Sequence, residues 1–209
     1  SKSLKVVYSR KLPGFMSAVI IGNYGNTFIT VTDFKEITVW ETESGKTIGN
    51  KIIHPGVVRV ETSYDGKMLV TCSDAYDYKS LIDKSATDMK FTKKYDNEVK
   101  VWDLKSGKQT GKTLDFTNYF TIAKFTRDNR DLLTLSPADL PKLWDINKGP
   151  ELKYILGEST GSMYLGGLSA CGNFMVLGFK NVVTVIDIAT GKPAYAPLIF
   201  DSNVTILNV

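Results

Sequence analysis

Val99-Lys-Val-Trp-Asp-Leu-Lys-Ser-Gly-Lys108 is answered by three other stretches of the same chain. These are Ile37-Thr-Val-Trp-Glu-Thr-Glu-Ser-Gly-Lys46, Pro141-Lys-Leu-Trp-Asp-Ile-Asn-Lys-Gly-Pro150 and Val183-Thr-Val-Ile-Asp-Ile-Ala-Thr-Gly-Lys192. Their anchors, Trp40, Trp102, Trp144 and Ile186, stand at intervals of 62, 42 and 42 residues, and two equal intervals make a period. A period of this length marks one structural unit repeated along the chain. Apolar residues alternate before each anchor, as they do in a half-buried strand. After each anchor comes Ser/Thr-x-Gly-like turn chemistry. Each unit therefore reads as a four-stranded antiparallel sheet.

In the first unit the strands are expected at about Met16 to Ile21, Thr27 to Val31, Ile37 to Glu41 and Thr47 to Ile53, with Tyr24-Gly25-Asn26 turning between the first two. The equivalent turns are Tyr64-Asp65-Gly66-Lys67, Arg127-Asp128-Asn129-Arg130 and Ala170-Cys171-Gly172-Asn173. Asn, Asp and Gly recur there because tight hairpin turns demand positive φ. Val57 to Val70 follows V-x-x-V-x-x-S-x-D-G-K-x-L-V, and Val99 to Asp103 follows V-K-V-W-D. With the period, these motifs resemble the WD40 repeat family. The resemblance covers nearly the whole chain and implies an all-β fold, a β-propeller of four-stranded antiparallel blades.

The expected organisation is one partial propeller over residues 1–209 with an orphan strand at each end. Residues 1–15 form an outer strand and link, 16–56 the first blade, and 57–119 the second, with an insertion at 74–97. Residues 120–162 form the third blade, 163–202 the fourth, and 203–209 open another. Leu4 to Arg10 would be the first orphan strand and Val204 to Val209 the second. Rings of this family close by completing one sheet from both chain ends, so the remaining blades are expected from further residues or from another chain.

The resemblance also implies a hydrogen-bonded lock of histidine, strand Ser/Thr, tryptophan and a turn aspartate. Only the second unit has the full set: His54, Thr71 or Ser73, Trp102 and Asp96. A buried imidazole and carboxylate persist only when they satisfy each other, so this set reads as structural. A lone histidine without cysteine or a second histidine beside it is poor metal-site material. The other units, with Trp40, Trp144 and Ile186 but no histidine, are expected to rely mainly on apolar packing.

The first interval exceeds the others by 20 residues (62 against 42), which places an insertion at about Asp74 to Asn97. It holds five lysines (Lys79, Lys84, Lys90, Lys93, Lys94), five aspartates and four aromatics (Tyr76, Tyr78, Phe91, Tyr95). Aromatic and basic side chains carry much interface energy, so these residues are the candidate partner-binding site. Insertions also cost little free energy and are tolerated as plain surface excursions. The connection between second and third strands opens on the same rim as the blade-to-blade links, so His54 to Gly56, Thr117 to Phe120 and Gly157 to Met163 should lie near it. Partners of the family commonly dock there. The aspartates do not follow the spacing of a calcium loop.

Of 209 residues, 43% are apolar, and 26 basic face 22 acidic residues for a net charge of +4, without a block of like charge. That balance is too diffuse to imply nucleic acid. No apolar run approaches membrane-spanning length, and Ser1-Lys2-Ser3-Leu4-Lys5 does not lead into a signal-peptide core. Cys72 and Cys171 sit in apolar stretches as reduced, buried thiols would, which suggests a cytoplasmic or nuclear setting. Gly157-Glu-Ser-Thr-Gly-Ser-Met163 lacks the Gly-Lys-Ser/Thr ending of a phosphate loop. No nucleophile elbow or metal-ligand cluster is recognisable, so neither catalysis nor a cofactor is expected. The expected role is a non-catalytic scaffold binding a protein or peptide. An RNA-associated subunit using the insertion lysines and tyrosines is the alternative, and a propeller enzyme with paired channel carboxylates a more distant one.

Overall fold

The computed structural model describes residues 9, 11–22, 25–76, 95–116, 122–136, 139–147, 149–155, 164–169, 172–179 and 181–201. Among them there are strands and no α-helix. The first sheet comprises β1 (Met16–Gly22), β2 (Thr27–Thr32), β3 (Glu36–Glu41) and β4 (Thr47–Ile53), paired in sequence order. The second comprises β5 (Val57–Thr62), β6 (Met68–Ser73), β7 (Glu98–Asp103) and β8 (Gln109–Asp115). The third comprises β9 (Ile122–Phe125), β10 (Asp131–Ser136), β11 (Asp139–Asp145) and β12 (Glu151–Ile155). In the fourth, β13 (Tyr164–Leu168), β14 (Phe174–Phe179) and β15 (Val182–Asp187) are followed by β16 (Lys192–Pro193) and β17 (Leu198–Ile199), both paired to β15. Its last strand is split where Pro193 and Pro197 remove backbone donors from the ladder. Every pairing is antiparallel. The sequence-expected orphan strands at Leu4 to Arg10 and Val204 to Val209 fall outside the described residues, apart from Ser9.

The turn after each anchor is built by its own residues. Asp103 Oδ1 accepts from the backbone N–H of Ser106 at 2.7 Å and from its hydroxyl at 2.6 Å. Gly107, at φ +66°, donates back to the Asp103 carbonyl. These bonds hold the Asp103 carboxyl below the usual carboxylate range, with Ser106 as the main cause. Asp187 repeats the arrangement with Ala189 and Thr190, and Glu41 uses Ser44. The acid of each anchor motif is thus a turn cap and not a reactive group.

Alternation along the strands gives each sheet two apolar faces, so the core lies between sheets. One cluster joins Ile29, Val31, Ile37 and Val39 of the first sheet to Val57, Leu69 and Trp102 of the second. Another joins Val70, Cys72, Val99 and Val101 to Phe125 and Leu132 of the third. The last joins Leu133, Leu135 and Leu143 to Met175, Leu177 and Ile186 of the fourth. First strands adjoin in series, β1 beside β5 and β5 beside β9. Burial pushes the Cys72 thiol up to about 12, so it packs as a small hydrophobe. Cys171 lies outside the described residues.

The repeated Gly-Lys-x-x-Gly after each of the first two tryptophans acquires a physical reason here. Gly49, at φ +64°, brings β4 so close to the next sheet that a Cβ would sit 1.7 Å from the Leu104 carbonyl oxygen. Gly111, at φ +71°, does the same against Pro150, at 2.5 Å. In the third sheet the equivalent position is Lys153, whose Nζ instead binds Asp131 Oδ2 at 2.8 Å.

Candidate functional site

The second sheet carries the polar chain expected from its residues. Trp102 Nε1–H donates to Thr71 Oγ1 at 2.8 Å, and Thr71 Oγ1 lies 2.6 Å from His54 Nδ1. Thr71 Oγ1 accepts from the indole and also lies 3.4 Å from the Lys100 carbonyl, to which its hydroxyl donates, so this one hydroxyl ties the indole, the imidazole and β7 together. Nε2 points toward Glu98, whose Oε2 is 3.4 Å away without hydrogen-bond alignment. The same oxygen takes Lys100 Nζ at 2.5 Å. His54 is fully buried, and burial, with Lys100 adding to it, lowers its pKa to about 3.

Asp96 does not enter this chain through its carboxylate, which is exposed. Its backbone carbonyl accepts from Ser73 Oγ at 2.6 Å, and Glu98 supplies the acid near His54. Ser73 Oγ also accepts from the Glu98 N–H at 3.0 Å, so the hydroxyl bridges the end of the insertion and the start of β7, where Glu98 lies beside His54. A second difference concerns the other sheets. Trp40 Nε1 donates to Thr30 Oγ1 and Trp144 Nε1 to Thr134 Oγ1, each at 2.8 Å. Apolar packing is therefore joined by an indole–threonine bond in every tryptophan-bearing sheet. In the fourth, Ile186 replaces tryptophan and Leu177 faces the same core, so donor and acceptor are lost together. A threonine recurring on the second strand was the available sequence signal.

A depressed imidazole pKa sets a pH dependence. The unfolded chain binds the His54 proton near pH 6.5 and the folded chain only near pH 3, so stability is complete above 6.5 and falls as pH drops toward 3. At about pH 5 the expected loss from this group is about 2 kcal/mol. Urea unfolding at pH 7 and pH 5 should show it, and His54→Gln, which cannot titrate, should show a loss smaller by that amount. Equal losses in both proteins would refute a buried neutral His54.

The insertion leaves the sheet through a tied neck. Ala75 N–H donates to Asn97 Oδ1 at 2.8 Å and Tyr95 N–H to the Ala75 carbonyl at 3.1 Å. The blade link lies against it: Asp74 N–H donates to the Gly56 carbonyl at 3.0 Å, and a Cβ on Gly56 would meet the Tyr95 ring at 2.7 Å. Tyr76 and Tyr95 are half-buried at this neck. Tyr78, Lys79, Lys84, Lys90, Phe91, Lys93 and Lys94 lie outside the described residues, as do residues 117–120 and 157–163. The same rim carries two aromatics that sequence reasoning missed. Phe15 and Phe34 stack with centroids 6.1 Å apart, and Phe34 sits at φ +50° in the β2–β3 turn, whose carbonyl accepts from Val57 N–H. Positive φ at a bulky residue costs energy and marks a turn fixed by its surroundings. Nothing in Thr-Asp-Phe-Lys announces it.

Among the described residues, the channel-side strands β1, β5, β9 and β13 carry one carboxylate, Glu61, with Lys124 Nζ 3.9 Å away. Burial raises its pKa against the lowering effect of Lys124. No group of three or more His, Cys, Asp or Glu suited to a metal ion occurs among the described residues.

Sheets of four antiparallel strands, packed face to face in sequence order with their first strands side by side, define a β-propeller. The chain is similar to the β-propeller domain of Myceliophteria thermophila Cps50 (Swd1), with a TM-score of 0.65 and 15% identity over 98% of this chain and 61% of that one. It is also similar to Kuenenia stuttgartiensis hydrazine synthase, with a TM-score of 0.61 and 15% identity, covering 96% of this chain and 53% of that one. A structure of the eukaryotic initiation factor matches with a TM-score of 0.61 and 17% identity, over 92% and 46% of the two chains. At such identities the likeness is one of fold, and the chain spans roughly half of each neighbour's length. No protein-family model and no curated protein sequence matches it.

Proposed function

We propose that this chain is a WD40-type scaffold that binds a protein or peptide through the rim carrying the 74–97 insertion, without catalysing a reaction. The observation that carries this reading is the tied neck. Hydrogen bonds at Ala75, Tyr95 and Asn97, and the Tyr95 ring against Gly56, anchor the insertion to the blade link. Pre-ordered aromatic surface at a rim reduces the entropy lost on binding, and aromatic residues dominate interface energetics. Phe15, 43% exposed and stacked on Phe34, extends that surface onto the first blade. The proposed setting is the cytoplasm or nucleus, within a larger assembly.

The test is affinity capture with the intact chain and with a chain lacking Tyr76 to Tyr95, both first shown to be folded by their tryptophan circular dichroism. A protein partner should be retained by the first and lost by the second, with capture unchanged by nuclease. Equal capture by both chains would overturn the rim assignment. Capture abolished by nuclease, with a steep loss on adding salt, would replace the protein partner with RNA.

A further inference from the structure

Antiparallel order puts the β1–β2 and β5–β6 turns at the end of each sheet opposite the blade link and the β6–β7 insertion. At that end the adjoining first strands β1, β5 and β9 line a recess of about 560 Å3. Ile20, Ile21 and Val60 give it an apolar wall, on which Ile21 is 76% exposed. Gly25 adds no side chain at the β1–β2 turn, and a Cβ built there meets nothing within 4 Å, so the recess is open beside it.

The charged lining is one acid and one base, Glu61 of β5 and Lys124 of β9. Glu61 Oε2 and Lys124 Nζ stand 3.9 Å apart, which is an attraction without a hydrogen bond, since that needs about 2.7 to 3.2 Å. The ammonium keeps donors and the carboxylate keeps acceptor sites for another partner. Their side chains are 42% and 37% exposed, and a pair so placed costs little to open. Burial raises the Glu61 pKa in spite of Lys124, so the lysine alone does not offset what the carboxylate loses in hydration.

Charge selects the occupant. A carboxylate alone would be drawn to Lys124 and repelled by Glu61, and an amine alone would meet the reverse. A ligand carrying both groups a few bonds apart satisfies both side chains and leaves its apolar part for the isoleucines and Val60. We propose that this recess binds a free α-amino acid with an aliphatic side chain, its ammonium on Glu61, its carboxylate on Lys124 and its side chain against Ile20 and Ile21. The site lies at the opposite end of the sheets from the insertion, so it stands or falls independently of the rim reading.

Titration calorimetry of the intact chain with L-leucine should show saturable binding at one site. 3-Methylbutylamine, which is leucine without the carboxylate, and 4-methylpentanoate, which is leucine without the amine, should each bind about tenfold more weakly or worse, about the worth of one charge-assisted hydrogen bond. Glycine, lacking the aliphatic part, should also bind more weakly than leucine. Glu61→Gln and Lys124→Met should each weaken leucine by a similar factor, and Ile21→Ser, at an exposed position, is a further variant should either fail to fold. Absence of leucine binding would overturn the proposal. An amine that binds as well as leucine would make the recess a cation site, and an acid that does so would make it an anion site; either result overturns the proposal. Leucine binding unchanged in the folded variants would place the ligand elsewhere and overturn it too.

Discussion

Replacing Thr71 by valine is expected to cost about 4 kcal/mol, because it removes one oxygen on which two buried groups depend. Trp102 Nε1 and His54 Nδ1 both bond to Thr71 Oγ1, at 2.8 Å and 2.6 Å, and His54 has no exposure to water that could compensate. Each orphaned group costs about 1 to 3 kcal/mol, while valine keeps the shape and the strand preference. Thr30→Val and Thr134→Val each strand a single indole N–H, so each should cost about half as much. For a chain of this size the Thr71→Val midpoint should fall by about 10 °C or more. Thermal and urea unfolding of the three variants would show the order. Equal losses would mean that His54 takes no stability from the chain of bonds.

Gly49→Ala is expected to be almost as damaging, at about 3 kcal/mol or more. A left-handed residue with a Cβ costs about 1 to 2 kcal/mol by itself. Its Cβ would also fall 1.7 Å from the Leu104 carbonyl oxygen, so the two sheets must move apart. Forced displacement in packed structure costs about 1 to 3 kcal/mol. Gly25→Ala separates the two contributions, since Gly25 sits at φ +90° with nothing within 4 Å of its built Cβ. It should lose only the conformational part. If denaturation gives equal losses for Gly49→Ala and Gly25→Ala, the close approach of sheets contributes nothing.

The architecture was legible because its signals are local. Alternating apolar residues, Asn, Asp and Gly at turns, and a Ser-Gly after the anchor act within one hairpin. The strands of the first sheet, for instance, begin and end within a residue of their expected limits. His54, Thr71 and Trp102 were also foreseeable, because each residue type has a fixed hydrogen-bonding need that burial enforces. The resemblance implies the Asp96 carboxylate in this set, but the residue closes the insertion with its carboxylate exposed and its carbonyl bonded. Ser73 donates to the Asp96 carbonyl, and Glu98 Oε2 is the carboxylate oxygen beside the imidazole, 3.4 Å from Nε2. Thr30 and Thr134 escaped notice because a strand threonine is unremarkable until an indole N–H is found above it.

By itself the sequence determined the period, the four antiparallel units, their turns and the site of the insertion, since these depend on interactions within a few residues of chain. Only the tertiary structure decided which acid meets His54, why Gly49 and Gly111 must lack side chains, and that Phe15 and Phe34 share the rim with the insertion's neck. Those outcomes depend on distances between residues in different hairpins or different sheets. Such distances arise from packing whole sheets face to face and are not encoded at any one position.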